Sequence, residues 1–190
     1  LMVLYASLTN LPVPFAAVHL LFINLLTDSL PAIALGLEPH TPAVMRERPR
    51  PRSEGILTRA FLTDVAVEGL VIAVMTAIAF HLGLSHGGAP VGASMAFGTL
   101  CLSRLFHGFD GKARGPVLFT RRFWDNRALL GAFVAGAALL AAVLLIPPLQ
   151  RMMQVYGMTG ALLGAMGGLS LGSMLIIQAL KAIRQAIGRR

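Results

Sequence analysis

Acidic residues are scarce in these 190 residues: eight Asp and Glu stand against sixteen Lys and Arg, a formal net charge of +8. Charged residues of both signs make up 13%, against about 25% in a typical soluble domain, which excludes an ordinary water-soluble enzyme. There is one cysteine, Cys101, inside an apolar stretch, so this chain alone builds neither a disulfide framework nor a thiolate metal cluster. Aromatic residues are only 7%, too few for the stacking platforms of a single-strand binder, and no nucleic-acid partner is expected. A basic leader followed by a short apolar core and a cleavage site is also missing. The chain opens at Leu1 within an apolar run and reads as a fragment of something longer.

What the sequence has in abundance is apolar length. Hydrophobic residues reach 56% and the mean hydropathy is +0.74. A helix needs roughly 20 apolar residues to cross about 30 Å of hydrocarbon. Stretches at 15–37, 61–84, 89–109, 128–149 and 158–180 meet that length, and 1–8 reads as the tail of a preceding span. The expected fold is an all-α, polytopic membrane helical bundle of five complete transmembrane helices plus the tail of a sixth. Basic residues divide the connections into two kinds. Fourteen of the sixteen Lys and Arg fall in the linkers 38–60 and 110–127 and in the tail 181–190. The connections 9–14 and 85–88 carry none, and 150–157 carries only Arg151. Short cytoplasmic loops hold positive charge, so both basic linkers and the C-terminus are expected in the cytoplasm. The same basic segments also suit an anionic lipid surface, but topology accounts for them more simply.

Two spans look structural. The stretch 128–149 is rich in Ala and Leu and holds no polar candidate, which suits scaffold. In 158–180, Gly160, Gly164, Gly168 and Gly172 share one helix face and predict close approach of a neighbouring helix.

The chemistry concentrates in Asn24-Leu25-Leu26-Thr27-Asp28-Ser29-Leu30-Pro31, in the middle of the first complete span. An aspartate there costs roughly 2.5–3.5 kcal/mol on insertion scales and needs a partner or a cation. Asn24 and Asp28 share a face at i and i+4, with Thr27 beside it. Pro31 has no N–H, so the Thr27 carbonyl loses its helical partner. A carboxylate, an amide oxygen, a hydroxyl and a loose carbonyl form a hard-oxygen set suited to Ca²⁺ or another hard cation. The competing reading is a proline kink whose polar residues hold helices together by hydrogen bonds. Ca²⁺ takes six to eight oxygens, so other helices must complete any such site.

The seventeen positions from Ile23 to Pro39, INLLTDSLPAIALGLEP, closely resemble the sixth transmembrane helix of type II P-type ATPases, the calcium pumps. The similarity continues through the linker with Met45, Arg48, Pro49 and Arg52 and through the later spans, there resting mainly on topology. The resemblance implies that Asn24, Thr27 and Asp28 are ligands of a transported Ca²⁺, with Pro31 opening the helix. It also implies a parent pump that phosphorylates itself and exports the ion, with ATP and Mg²⁺ handled in upstream parts absent here. This chain alone is not expected to hydrolyse ATP. A bacterial plasma membrane suits its short loops. The sequence departs from the family pattern at Arg104, where a Glu or Gln ligand is expected. A guanidinium repels or replaces a cation, which implies one ion per cycle; alternatively Arg104 snorkels to the interface and leaves the site alone.

Other polar residues leave alternatives open. Glu68, with Asp64 four residues before it, either pairs with Arg104 across helices or faces the headgroups. His19 is either a hydrogen-bonded structural histidine or a proton relay. His81, His86 and His107 lie near span ends and suggest no ligand set, and Cys101 reads as a buried small hydrophobe. The rival function is a stand-alone membrane protein without ATPase activity, a passive channel or a structural assembly partner.

Overall fold

The structure, a computed structural model, describes residues 1–39, 57–113, 115–118, 120 and 122–187, without the side chains of residues 26, 27, 60 and 122. The expected linker positions Met45, Arg46, Arg48, Pro49, Arg50 and Arg52, together with Arg114, Arg121, Arg189 and Arg190, lie outside the described residues.

The described elements are all helical. They are α1 (Met2–Leu8), α2 (Ala17–Phe22), a π-helical turn (Ile23–Asp28), α3 (Ser29–Gly36), α4 (Arg59–Asp110), α5 (Arg122–Asp125), α6 (Arg127–Leu145), α7 (Pro147–Met152) and α8 (Gly160–Ile187). Four stretches are long and apolar enough to cross a membrane: Ala17–Gly36, Phe61–Asp110, Arg127–Leu145 and Gly160–Ile187. The second, of 50 residues, is a hairpin of two arms, 61–86 and 89–110. Gly88 has φ +69° and ψ −162°, a backbone open to glycine, and Pro90 starts the returning arm where its missing N–H costs nothing. The arms touch at their tips, where a methyl group on Gly83 would lie 2.7 Å from Gly92 Cα. The five apolar stretches expected from the sequence thus appear as three separate helical spans and one folded pair.

Caps and prolines set the other boundaries. Thr58 caps α4 by accepting the Phe61 N–H at 3.2 Å, and Asn126 caps α6 by accepting the Leu129 N–H at 2.8 Å. The expected stretch 128–149 ends as a single helix at Leu145, because Pro147 and Pro148 open a separate short helix.

The main core joins α2, both arms of α4, α6 and α8 around Phe22, Phe80, Met95, Phe97, Leu140 and Met166. The returning arm of α4 runs parallel to α8. Ser170 Oγ donates to the Thr99 carbonyl at 3.2 Å near one end, and Gln178 Nε2 donates to Asp110 Oδ1 at 2.5 Å near the other. The glycine face of α8 does not make this contact. A methyl group on Gly160, Gly164, Gly168 or Gly172 would meet nothing within 4 Å, whereas one on Gly98 of α4 would meet Met166 Sδ at 2.3 Å. The expected glycine-mediated packing is therefore corrected within this chain. Leu162, Met166, Ser170, Ser173 and Ile177 form the buried face of α8, and the glycines lie off it.

Candidate cation-binding site

Proline at position 31 has no N–H to return to the fourth residue before it, and the helix responds one turn earlier by widening to π geometry over Ile23–Asp28. The Ser29 hydroxyl donates to the Asn24 carbonyl at 3.2 Å, five residues back. Asp28 is the last residue of the widened turn and Asn24 lies near its start, with an exposed side chain. The side chain of Thr27, the third expected ligand, lies outside the described atoms.

Pro31 is buried, and the surface it meets is the returning arm of α4. A methyl group on Gly108 would lie 3.2 Å from Pro31 Cβ, and one on Gly111 would lie 3.4 Å from Leu35 Cδ1. Residues 108 and 111 therefore track 31 and 35 in parallel, and one turn before Gly108 the same face delivers Arg104 to Asp28. Arg104 Nε donates to Asp28 Oδ1 at 2.5 Å and Nη2 donates to Oδ2 at 2.8 Å. Such a fork fixes a carboxylate by two parallel charge-assisted bonds and cancels both charges. Arg104 is thus drawn onto the carboxylate of the motif.

Of the two alternatives left open for Glu68, pairing with Arg104 is not the one the geometry shows. Glu68 Oε1 lies 3.2 Å from Lys181 Nζ, and Glu68 Oε2 lies 3.6 Å from His107 Nε2. Asp64 pairs with Arg184 of α8. Both carboxylates face α8, because α8 packs along α4 at this end and carries its cations there. His107 is likewise placed between two carboxylates, with Nδ1 3.6 Å from Asp110 Oδ2. Sequence reading missed Asp110, Gln178 and Lys181; their signal was a set of polar residues at matching heights on two apolar helices. Among the described residues no three His, Cys, Asp or Glu side chains converge as a metal cage.

His19 lies outside this site. It is fully buried, stacks on Phe97 with ring centroids 4.3 Å apart, accepts the Ala16 N–H at Nδ1 and donates from Nε2 to the Met153 carbonyl at 2.7 Å. Both ring nitrogens are engaged with backbone, as a structural histidine requires. Cys101 is fully buried.

Two further contacts hold α3 in place. Asn126 Nδ2 donates to the Ala34 carbonyl at 2.9 Å and to Glu38 Oε2 at 2.7 Å, joining the start of α6 to the end of the broken span.

Over residues 12–183 the chain matches the family described as cation transporting ATPase, C-terminus. It is 34% identical over 161 residues to a calcium-transporting ATPase of Bacillus subtilis, an alignment covering 84% of this chain and 18% of that protein. A calcium-transporting ATPase of Listeria monocytogenes is 30% identical over 185 residues, 96% of this chain and 21% of that protein. The calcium-transporting ATPase type 2C member 2 of mouse is 27% identical over 186 residues, 97% of this chain and 20% of that protein. The chain spans about a fifth of the length of these relatives.

Proposed function

The chain belongs to the family of cation-transporting ATPase C-terminal regions, and from that premise we propose that it supplies intramembrane ligands to an ATP-driven pump exporting Ca²⁺. In this reading Asp28 is the charged ligand, Asn24 and Thr27 are neutral oxygen donors, and Pro31 creates the widened turn that presents them. Oxygens from outside this chain complete the six to eight that Ca²⁺ takes. ATP and Mg²⁺ act outside these residues. In this reading the basic linkers and the C-terminus face the cytoplasm and the membrane is a bacterial plasma membrane, as the distribution of Lys and Arg and the short loops suggest.

The observation that carries this reading is the fork from Arg104 to both oxygens of Asp28. A guanidinium is a fixed cation, and with it in place neither carboxylate oxygen presents its strongest acceptor direction to a metal ion. Ca²⁺ binding at Asp28 therefore requires Arg104 to swing away, and Arg104 returns when the ion leaves. The arginine keeps Asp28 neutralised between ions, and its permanent charge takes the place of one transported cation. The pump moves one Ca²⁺ per ATP.

The test is the ion-to-ATP ratio of the full-length protein carrying Arg104→Glu. A second carboxylate in place of the guanidinium is expected to raise the ratio from about one toward about two. An unchanged ratio in an active variant contradicts the assignment of Arg104.

A further inference from the structure

Four buried side-chain atoms among the described residues have no hydrogen-bond partner: Thr99 Oγ1, Ser103 Oγ, His107 Nδ1 and Asp110 Oδ2. All four come from the returning arm of α4, at spacings of four, four and three residues, which places them in one stripe along one helix face. Native interiors leave few such atoms, because each gives up hydration without gaining a partner. Four in one line on one helix need a shared explanation.

The two hydroxyls sharpen it. Other buried hydroxyls of the bundle return their proton to a carbonyl three or four residues back. Thr76, Ser94, Ser170 and Ser173 all do so, at 2.7–2.8 Å. Thr99 and Ser103 make no such bond, although Thr99 is 0% and Ser103 1% exposed. Each has a proton to give and lone pairs to fill. A partner that donates and accepts, and is small enough for a packed helix interface, has the chemistry of water.

The stripe leads to a wettable opening. Its last member, Asp110, borders a cavity of about 800 Å³ whose lining includes Asp64, Glu68, Lys112, Lys181 and Arg184. His107 and Asp110 stand 3.6 Å apart, beyond a direct hydrogen bond, and each retains an unmet atom. From α8, Lys181 donates to the Asp110 carbonyl at 2.5 Å, and Ser173 lies on the face that packs against the arm.

We propose that this stripe is a water file: ordered waters enter from the cavity at the basic end of the bundle, pass His107 and Asp110, and continue between α4 and α8 to Ser103 and Thr99. Its ligand is water, and it hydrates the interior of the bundle along a face separate from the Asp28–Arg104 pair. The inference stands on these side chains alone and does not depend on which ion the protein carries.

The experiment is radiolytic hydroxyl-radical labelling of the full-length protein, in which bound water is itself the probe. Ser103→Cys puts a reactive sulfur on the file, and native Cys101, fully buried on the opposite face of the same arm, is the internal reference. The sulfur introduced by Ser103→Cys is expected to oxidise at least about tenfold faster than Cys101. Equal rates would overturn the proposal. A high-resolution structure of the unmodified full-length protein tests the same point without a substitution. Waters bonded to Thr99 Oγ1 and Ser103 Oγ are expected, and a dry interface with both hydroxyls turned to the Met95 and Thr99 carbonyls would overturn it.

Discussion

Gly108 lies against Pro31 so closely that a single methyl group on it would come within 3.2 Å of Pro31 Cβ. That contact sets the distance between the returning arm of α4 and the broken span, and Arg104, one turn before Gly108, reaches Asp28 across the same gap. Replacing Gly108 by Val is expected to force the two helices apart and cost about 1–3 kcal/mol through overpacking. Thermal unfolding of the full-length protein in detergent measures the cost. An unchanged midpoint would mean that this contact does not set the spacing.

Arg104→Lys keeps the charge and loses the fork, because an ammonium cannot place two donors on two carboxylate oxygens in one plane. One charge-assisted hydrogen bond is worth about 1.5–3 kcal/mol. Ca²⁺ that must displace a weaker partner is expected to bind at least about tenfold more tightly. Equilibrium ⁴⁵Ca²⁺ binding to the purified variant checks this, and equal or weaker binding argues against competition for Asp28.

Asn126→Ala removes the cap of α6 and the donor that meets the Ala34 carbonyl and Glu38. A lost cap costs about 0.5–2 kcal/mol, and the lost amide bonds to Glu38 and to the Ala34 carbonyl, which keeps the Leu37 N–H at 3.2 Å, add about 1.5–3 kcal/mol. A fall in the thermal midpoint larger than that for Asn126→Ser, which keeps a neutral cap without the amide donor, is the expected result.

His19→Phe preserves an aromatic ring against Phe97 and removes the bonds to Ala16 N–H and the Met153 carbonyl. Stability should fall by about 1–3 kcal/mol while the pH profile of transport stays in place. A displaced pH profile would restore the relay reading.

The spans, the connection at 85–88 and the motif from Asn24 to Pro31 were legible because each is local: apolar length, its interruption and a proline act on their own backbone. Arg104 was singled out where the sequence departs from the family pattern, as a guanidinium that repels or replaces a cation, with pairing to Glu68 and snorkelling left open; none of these readings named Asp28 as its partner. Which carboxylate it meets depends on a parallel register in which positions 108 and 111 track 31 and 35, and no periodicity within one helix encodes that. The glycine face of α8 failed for a related reason. Spacing shows that four glycines share a face but not which helix the face turns toward, and within this chain α4 meets the opposite choice, through Gly98 and Met166. The buried polar stripe from Thr99 to Asp110 was written in the sequence at helical spacing, but hydroxyls are common in apolar helices. Only their missing back-bonds set them apart.

The most direct test of the central claim is Ca²⁺-dependent transfer of labelled phosphate from ATP to the full-length protein, with Mn²⁺ and Mg²⁺ alone as comparisons and Asp28→Asn as the variant. Micromolar Ca²⁺ is predicted to trigger phosphorylation of the unmodified protein and to leave Asp28→Asn unlabelled. Phosphorylation of Asp28→Asn at the same Ca²⁺ level, or no labelling of the unmodified protein by any cation, would contradict the account.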